Sequence, residues 1–113
     1  MPFINIKTSA QLRPESVEAV KAALGDAVRL IGKSEGWLMV NAEHTDNLFF
    51  KGEKTDDAAF VSVNLYGSAD SEAFNRLTGR ICGILQEHLG ISPVRTYVMY
   101  YATPDWGFNG SNF

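Results

Sequence analysis

The chain repeats one arrangement of secondary structure. Each half of the 113-residue sequence has the pattern of a strand, a helix and a second strand. The glycines expected to end the two helices, Gly32 and Gly90, stand 58 positions apart. A repeated βαβ unit indicates internal pseudo-symmetry, and right-handed crossovers make the two strands of each unit parallel. The sequence therefore predicts one α+β domain over residues 1–113, with two pseudo-symmetric βαβ units forming a four-stranded sheet and both helices on one face.

Apolar periodicity predicts where these elements lie. The strands are predicted at residues 2–8, 37–42, 58–66 and 96–101. The helices are predicted at residues 14–31 and 71–89, where apolar side chains recur at helical spacing and a glycine follows. Cys82 falls in the apolar pattern of the second helix and is expected to be a small core residue.

This arrangement leaves the second face of the sheet uncovered. The predicted strands carry Phe, Tyr and Val on both faces, and a large exposed apolar surface usually marks a contact with a partner. Residues 105–113 are rich in aromatic residues and glycine, which suggests an arm that docks elsewhere. Both features favour a homo-oligomer whose sheets face inward.

Composition and charge argue against several functional classes. The net charge is −3 and no basic stripe is present, so nucleic acid is not an expected partner. No apolar run is long enough to cross a membrane, and no secretory signal pattern begins the chain. A cytoplasmic location is expected, with release by a route without a signal peptide as an alternative. His44 and His88 lack partners at metal spacing, so neither a metal nor another cofactor is expected.

The first half alone carries groups that could act together as a base and a cation. An offset of 58 residues pairs Pro2 with Phe60 and Lys33 with Ile91. Removal of Met1, which is common before a small residue, would leave Pro2 with a secondary amine at the start of a strand. Burial and the nearby charge of Lys33 would both lower the pKa of that amine towards the range of a general base.

Other interpretations of the same residues stay open. Pro2 could simply begin the chain, and Lys33 could be a solvated cation at a helix end. Trp37, Tyr97 and the aromatic residues of the tail could belong to the core, or they could form an aryl-accepting pocket around the amine.

A wider set of motifs resembles the macrophage migration inhibitory factor family, within the tautomerase superfamily. The resemblance covers the whole chain and is carried by these residues: Met1-Pro2, Gly32-Lys33, Gly52, Gly67, the segment 89–97, Tyr100-Tyr101 and the tail 106–113. It implies a homotrimer with sheets lining the centre and an isomerase of the intramolecular oxidoreductase class that needs no cofactor. The implied substrates are small aromatic keto acids such as phenylpyruvate, and dopachrome-type compounds. Several members are also extracellular cytokines, which implies a cell-surface receptor as an alternative partner.

Matching positions in the family imply individual roles. Pro2 would be the catalytic base, and Lys33 would bind the substrate carboxylate or oxygen. Tyr66 takes the place of a residue whose backbone contacts the substrate, and Tyr97 would reach into the pocket of a neighbouring subunit. Pocket walls would come from Trp37, Trp106 and Phe108.

Three departures from the family pattern bear on activity. Met99 replaces a usual polar residue, and Tyr66 is larger than the typical isoleucine and is expected to narrow the pocket. The Cys-x-x-Cys motif of some cytokine members is absent, with Ala58 and Val61 near those positions. We therefore expect weaker turnover than in a typical member. A signalling ligand with a vestigial pocket, or an oligomer without activity, is the alternative.

Overall fold

A four-stranded sheet with two helices on one face forms the body of the protein. The computed structural model describes all 113 residues. Its main elements are β1 (Pro2–Thr8), α1 (Pro14–Ala27), β2 (Met39–His44), β3 (Ala59–Tyr66), α2 (Ser71–Leu89) and β4 (Thr96–Thr103). The strand order is β2-β1-β3-β4, with parallel pairs at both edges and antiparallel pairing of β1 with β3 at the centre. The predicted α+β fold of two βαβ units is confirmed. Neither helix combines the length and apolar character needed to cross a membrane.

Both helical segments end at the glycines expected from the sequence. Gly32 and Gly90 have left-handed backbone angles, with φ of 72° and 68°, which glycine adopts without steric cost. After the first helical segment, Lys33 donates its backbone N–H to the carbonyl of Val28, five positions earlier, which is the Schellman motif. After the second, Gly90 donates to the carbonyl of Gln86, four positions earlier, which is the αL motif. The first segment is α-helical only to Ala27 and continues as a 3₁₀ turn, so the predicted helix 14–31 contains two elements.

The second strands of the two units keep the predicted offset of 58 residues, but the first strands follow an offset of 57. Phe3 lies beside Met39 in the first unit, and Phe60 lies beside Tyr97 in the second. Phe3 therefore corresponds to Phe60, and the predicted equivalence of Pro2 with Phe60 is wrong. The second unit has one more residue between its first strand and its helix-ending glycine, and a shift of one residue reverses the face of a strand. Pro2 accordingly faces the helices, as a buried residue.

The core fills the space between the sheet and the helices. Its fully buried side chains include Ile4, Ile6, Val61, Val63 and Leu65 from the strands and Val20, Leu24, Leu77, Ile81 and Leu85 from the helices. Burial of each such side chain contributes roughly 1.5–3 kcal/mol, so the central strands are firmly held. Cys82 is only partly buried, and its prediction as a core residue is wrong. Ile81 takes the inward position, and the next residue of a helix is turned away by about 100°.

The uncovered face of the sheet is mixed in polarity. Exposed apolar side chains dominate on β4, where Tyr97, Met99 and Tyr101 alternate along the strand. The centre is polar, and Asn41 donates a hydrogen bond of 2.7 Å from Nδ2 to Oδ1 of Asn5. The expectation of apolar residues on both faces therefore holds along β4, whereas on β1 and β2 it holds only at Phe3 and Met39, at the starts of the strands.

The C-terminal residues fold back onto their own chain. β5 (Gly107–Phe108) and β6 (Ser111–Asn112) pair as an antiparallel hairpin. The N–H of Phe113 donates to the carbonyl of Trp106 at 3.1 Å. Phe108 packs against Trp37, with ring centroids 5.3 Å apart. The prediction of an arm that docks elsewhere is therefore wrong, because the hairpin supplies its own turn and finds its aromatic partner within the chain.

His44 closes β2 with a bridge between two oxygen atoms. Its Nδ1 lies 2.9 Å from the carbonyl oxygen of Ala10, and its Nε2 lies 2.7 Å from a carboxylate oxygen of Asp46. A carbonyl and a carboxylate only accept hydrogen bonds, so both bonds form only when the ring is doubly protonated. The backbone bond to Ala10, then the bond to Asp46, raise the pKa of His44, and the charges of Asp46 and Asp57 add to this effect.

This bridge predicts a pH-dependent contribution to stability. A raised folded pKa means that the contribution of His44 is complete below its unfolded pKa of about 6.5, and that it is lost as the pH rises through the folded pKa. Urea unfolding of wild type and His44→Gln from pH 5 to pH 9 should give a stability difference that shrinks with rising pH. His88→Gln, which removes the only other histidine, is the control. A difference that stays constant over this range would contradict the imidazolium bridge.

Candidate active site

A cleft of about 420 Å³ lies at the start of β1. Three segments line it: Met1–Phe3, Gly36–Met39 and Trp106–Phe108. The parallel pairing of β1 with β2 brings the first two segments to one edge of the sheet, and the C-terminal hairpin closes the third side. Its volume falls within the range of roughly 300–1,000 Å³ that is typical of small-molecule pockets.

Aromatic rings form a continuous wall beside this cleft. The rings of Trp37 and Phe108 meet edge to face at 89°. Phe108 is followed by Phe113, with centroids 6.4 Å apart, and Phe113 by Tyr66, at 5.0 Å. About half of the surface of Trp37 and of Phe108 is exposed, at 54% and 49%. These exposed surfaces can accept a flat aromatic ligand.

Trp37 reaches this wall from a turn and not from a strand. It belongs to a 3₁₀ turn, Glu35–Trp37, in which the Ser34 hydroxyl accepts a hydrogen bond of 3.1 Å from the N–H of Gly36. The prediction that Trp37 begins the second strand is wrong, because this capped turn delays the strand until Met39. The turn places the indole ring against the C-terminal hairpin.

The backbone of Tyr66 ties the start of the chain to Lys33. Its N–H donates to the carbonyl of Met1 at 3.2 Å, and its carbonyl accepts from Nζ of Lys33 at 2.9 Å. Pro2 lies between these contacts as the first residue of β1, opposite Leu65. The N–H and the carbonyl of Tyr66 thus hold the start of the chain and the ammonium group of Lys33 close together.

This arrangement lowers the pKa of an amine at the chain start. Burial is the larger cause for the Met1 amine, and the positive charge of Lys33 is the second. With Met1 present, the nitrogen of Pro2 is an amide and has no basic lone pair. An amine at this place is therefore biased towards its neutral, proton-accepting form.

Not every residue expected at the site lines the cleft. Pro2, Trp37, Trp106 and Phe108 do so, whereas Lys33 and Tyr66 adjoin it at the end of β3. The ring of Tyr66 packs against Phe113 at the far end of the aromatic wall and does not line the cleft itself. The expectation that this ring narrows the pocket is therefore wrong for the single chain.

Tyr97 lies far from the cleft of its own chain. It pairs with Phe60, which is opposite Lys7, five residues along β1 from Pro2. Five residues of a strand span roughly 17 Å, so the ring cannot contact Pro2 of the same chain. It is 60% exposed on the open face of the sheet.

Several wall residues were not predicted individually. Leu38 and Met39 line the cleft beside Trp37, and Phe113 continues the aromatic wall. The aromatic composition of the tail was a usable signal for Phe113, whereas no sequence pattern distinguishes Leu38. No group of three or more His, Cys, Asp or Glu side chains is placed to hold a metal ion.

Comparison with known proteins gives one consistent result. The family model of macrophage migration inhibitory factor matches residues 1–113. The factor from Rattus norvegicus is 30% identical over 84 residues, covering 73% of this chain and 72% of that protein. The crystal structure of MIF2 from Leishmania major superposes with a TM-score of 0.92 at 32% identity, covering 100% of this chain and 97% of that one. A homologue from Prochlorococcus marinus gives 0.88 at 26% identity over 98% of each chain.

Proposed function

Because the chain belongs to the macrophage migration inhibitory factor family, we propose that it catalyses keto–enol tautomerisation of small aromatic keto acids without a cofactor. The position of Pro2 opposite Leu65, next to the Tyr66 carbonyl that binds Lys33, carries this proposal. Burial and Lys33 lower the pKa of the Met1 amine at this place, and the same surroundings would favour a neutral Pro2 amine beside a cation, as removal of a proton next to a carbonyl requires.

Pro2 is the base in this proposal, after Met1 has been removed. Its secondary amine takes the proton from the carbon next to the substrate carbonyl. The electron pair of the C–H bond forms a carbon–carbon double bond, and the negative charge moves to the carbonyl oxygen. The protonated amine then returns a proton to that oxygen, which completes the conversion to the enol. The reverse sequence gives the ketone.

Lys33 supplies the charge that this reaction needs. An ammonium group has three donors, and in this structure one of them is used by the carbonyl of Tyr66. The remaining donors are available for a substrate carboxylate or for the developing enolate oxygen. Trp37 and Phe108 form the apolar wall for an aryl ring, and Tyr97 of a neighbouring subunit closes the site.

A spectrophotometric assay with phenylpyruvate tests the proposal directly. Tag-free protein, with Pro2 verified as its first residue by mass spectrometry, should accelerate the conversion between enol and ketone. Phenylglyoxylate has the same carboxylate, carbonyl and ring but no proton on the adjacent carbon, so it should inhibit without turning over. Absence of any acceleration by protein that starts at Pro2 would refute the tautomerase assignment. Because Met99 lacks a polar group, turnover of dopachrome-type substrates should be weaker still.

A homotrimer is part of the same proposal, since Tyr97 can serve only another copy. Light scattering should give the mass of three 12.4 kDa chains. Tyr101→Asp places a charge on the open face of β4, where 59% of the tyrosine is exposed in the single chain. It should dissociate the assembly and abolish activity. Val94→Asp is the matched control, because Val94 is exposed in a turn before β4 and lies off the sheet face. An active monomer would contradict the trimer.

A signalling role is a second proposal, favoured by the name of the relatives, a factor that inhibits macrophage migration. Such a role requires a cell-surface receptor and release from the cytoplasm without a signal peptide. Migration of macrophages treated with wild type or with Pro2→Gly separates the two roles. Equal effects of both proteins would assign signalling to the surface and not to the catalytic site.

A further inference from the structure

Arg95 holds the backbone of the charged loop that follows β2. Its Nε donates to the carbonyl of Asp57 at 3.2 Å, and its Nη2 donates to the carbonyls of Asp56 at 2.9 Å and Glu53 at 3.4 Å. The loop offers three carboxylates, yet Arg95 bonds none of them and binds main-chain oxygens instead. A guanidinium that donates to three backbone carbonyls holds the path of the loop backbone, but it does not pair with the loop's carboxylates.

The loop begins with a tight turn that carries Phe50. The backbone groups of Phe50 and Glu53 exchange two hydrogen bonds, of 2.7 Å and 3.0 Å. Lys51 and Gly52 between them have left-handed backbone angles, with φ of 53° and 79°, as in a two-residue type I′ hairpin turn. The guanidinium carbon of Arg95 lies 5.3 Å from the centroid of the Phe50 ring. Arg95 therefore fixes Phe50 twice, through the turn and through a cation–π contact.

Phe50 in turn packs against the ring of Tyr97. Their centroids are 5.3 Å apart at an interplanar angle of 63°. Tyr97 is otherwise largely exposed at the start of β4, two residues after Arg95. Without the Phe50 contact, rotation of this side chain would be limited only by its own backbone. The contact selects one orientation of a ring that is 60% exposed on the open face of the sheet.

We propose that Arg95 is a positioning residue for the active site, which acts through Phe50 to orient the Tyr97 ring that each subunit presents to the cleft of its neighbour. This inference rests on the proposed function, in which Tyr97 closes a neighbouring site. Arg95 does not line the cleft at Pro2, so in this inference it acts on turnover only through the ring that it orients. Arg95, Phe50 and Tyr97 lie at the end of the sheet opposite Pro2. They are therefore remote from the cleft of their own subunit, and in this proposal they act on the cleft of a neighbouring subunit.

A double-mutant cycle between Arg95→Ala and Tyr97→Ala tests this inference. Arg95→Ala should lower kcat/KM for phenylpyruvate roughly 10-fold, since small displacements of positioning groups cost up to about 10²-fold. The same change in the Tyr97→Ala background should have no further effect. Arg95→Lys keeps a positive charge near Phe50 and should recover part of the loss. Arg76→Ala removes an exposed arginine on α2, without disturbing the loop, and should match wild type.

The outcomes separate positioning from folding and from the proposed function itself. Additive effects of the two substitutions, or full activity of Arg95→Ala, would overturn the inference. Loss of activity together with dissociation, seen by light scattering, would assign Arg95 to assembly and also overturn it. If wild type has no tautomerase activity, NMR of ¹³C-labelled tyrosine still reports on the ring. Arg95→Ala should shift and broaden the Tyr97 signals, and unchanged signals would overturn the inference independently of catalysis.

Discussion

Pro2→Gly is expected to lower kcat/KM for phenylpyruvate by roughly 10²–10⁴-fold, the contribution of a positioned general base. Glycine keeps an amine at the chain start but loses the secondary nitrogen and the ring that fixes its direction. Pro2 is buried opposite Leu65 at the start of β1, so this end of the chain is held in the sheet. A freely rotating primary amine at the same place is a poorly directed base.

Protein that retains Met1 provides a sharper version of this experiment. Its Pro2 nitrogen is an amide and has no basic lone pair, so this protein should be inactive. Pro93→Gly is the matched control, because it replaces a proline at the start of an exposed turn remote from the cleft. Thermal unfolding should be compared for all variants. Full activity in protein that still carries Met1 would remove Pro2 from the mechanism.

Lys33→Ala is expected to have the second largest effect, a loss of roughly 10²–10³-fold in kcat/KM for a carboxylate substrate. KM should rise because the carboxylate loses its cation, and kcat should fall because the enolate loses its stabilising charge. Lys54→Ala removes the same charge from the loop after β2 and should leave both constants unchanged. An unaltered KM in Lys33→Ala would mean that Lys33 is a helix-end cation without a role in binding.

The same substitution should also move the pH profile. The charge of Lys33 is one of the two causes that lower the pKa of an amine at the chain start, and burial is the larger one. Removal of the charge raises that pKa, so a higher pH is needed to obtain the neutral base. The rise of kcat/KM with pH should therefore shift upward in Lys33→Ala, while a partial lowering from burial persists. If kcat/KM of Lys33→Ala rises at the same pH as in wild type, Lys33 and the amine at the chain start do not interact.

The fold was predictable because its signals are local and repeated. Helical spacing and the stops at Gly32 and Gly90 are properties of short segments, and the repeat then gave the pairing of strands. The faces of the strands were less secure, since one additional residue in the second unit reversed the alignment of Pro2 with Phe60. The capped turn that contains Trp37 was not predicted, because the apolar residues that follow it have the pattern of a strand.

The candidate site was predictable only where side chains define it. Pro2 and Lys33 stand out as an amine and a cation in one βαβ unit. The hydrogen bonds of Arg95 give no comparable signal, because they end on main-chain oxygens and every residue type has one. The distance between Tyr97 and Pro2 also needed the register of three strands. Contacts of these kinds depend on the tertiary path of the chain and leave no pattern in composition or spacing.

The tie at Tyr66 has a consequence for how this position can change during evolution. Its contact to Lys33 uses the backbone carbonyl and not the side chain. Selection on that contact therefore acts on the course of the backbone and leaves the identity of the side chain free. A tyrosine can occupy a place where the family pattern has isoleucine, and its ring is recruited to hold Phe113. The position can diverge between lineages while the spacing of chain start and ammonium group is inherited intact.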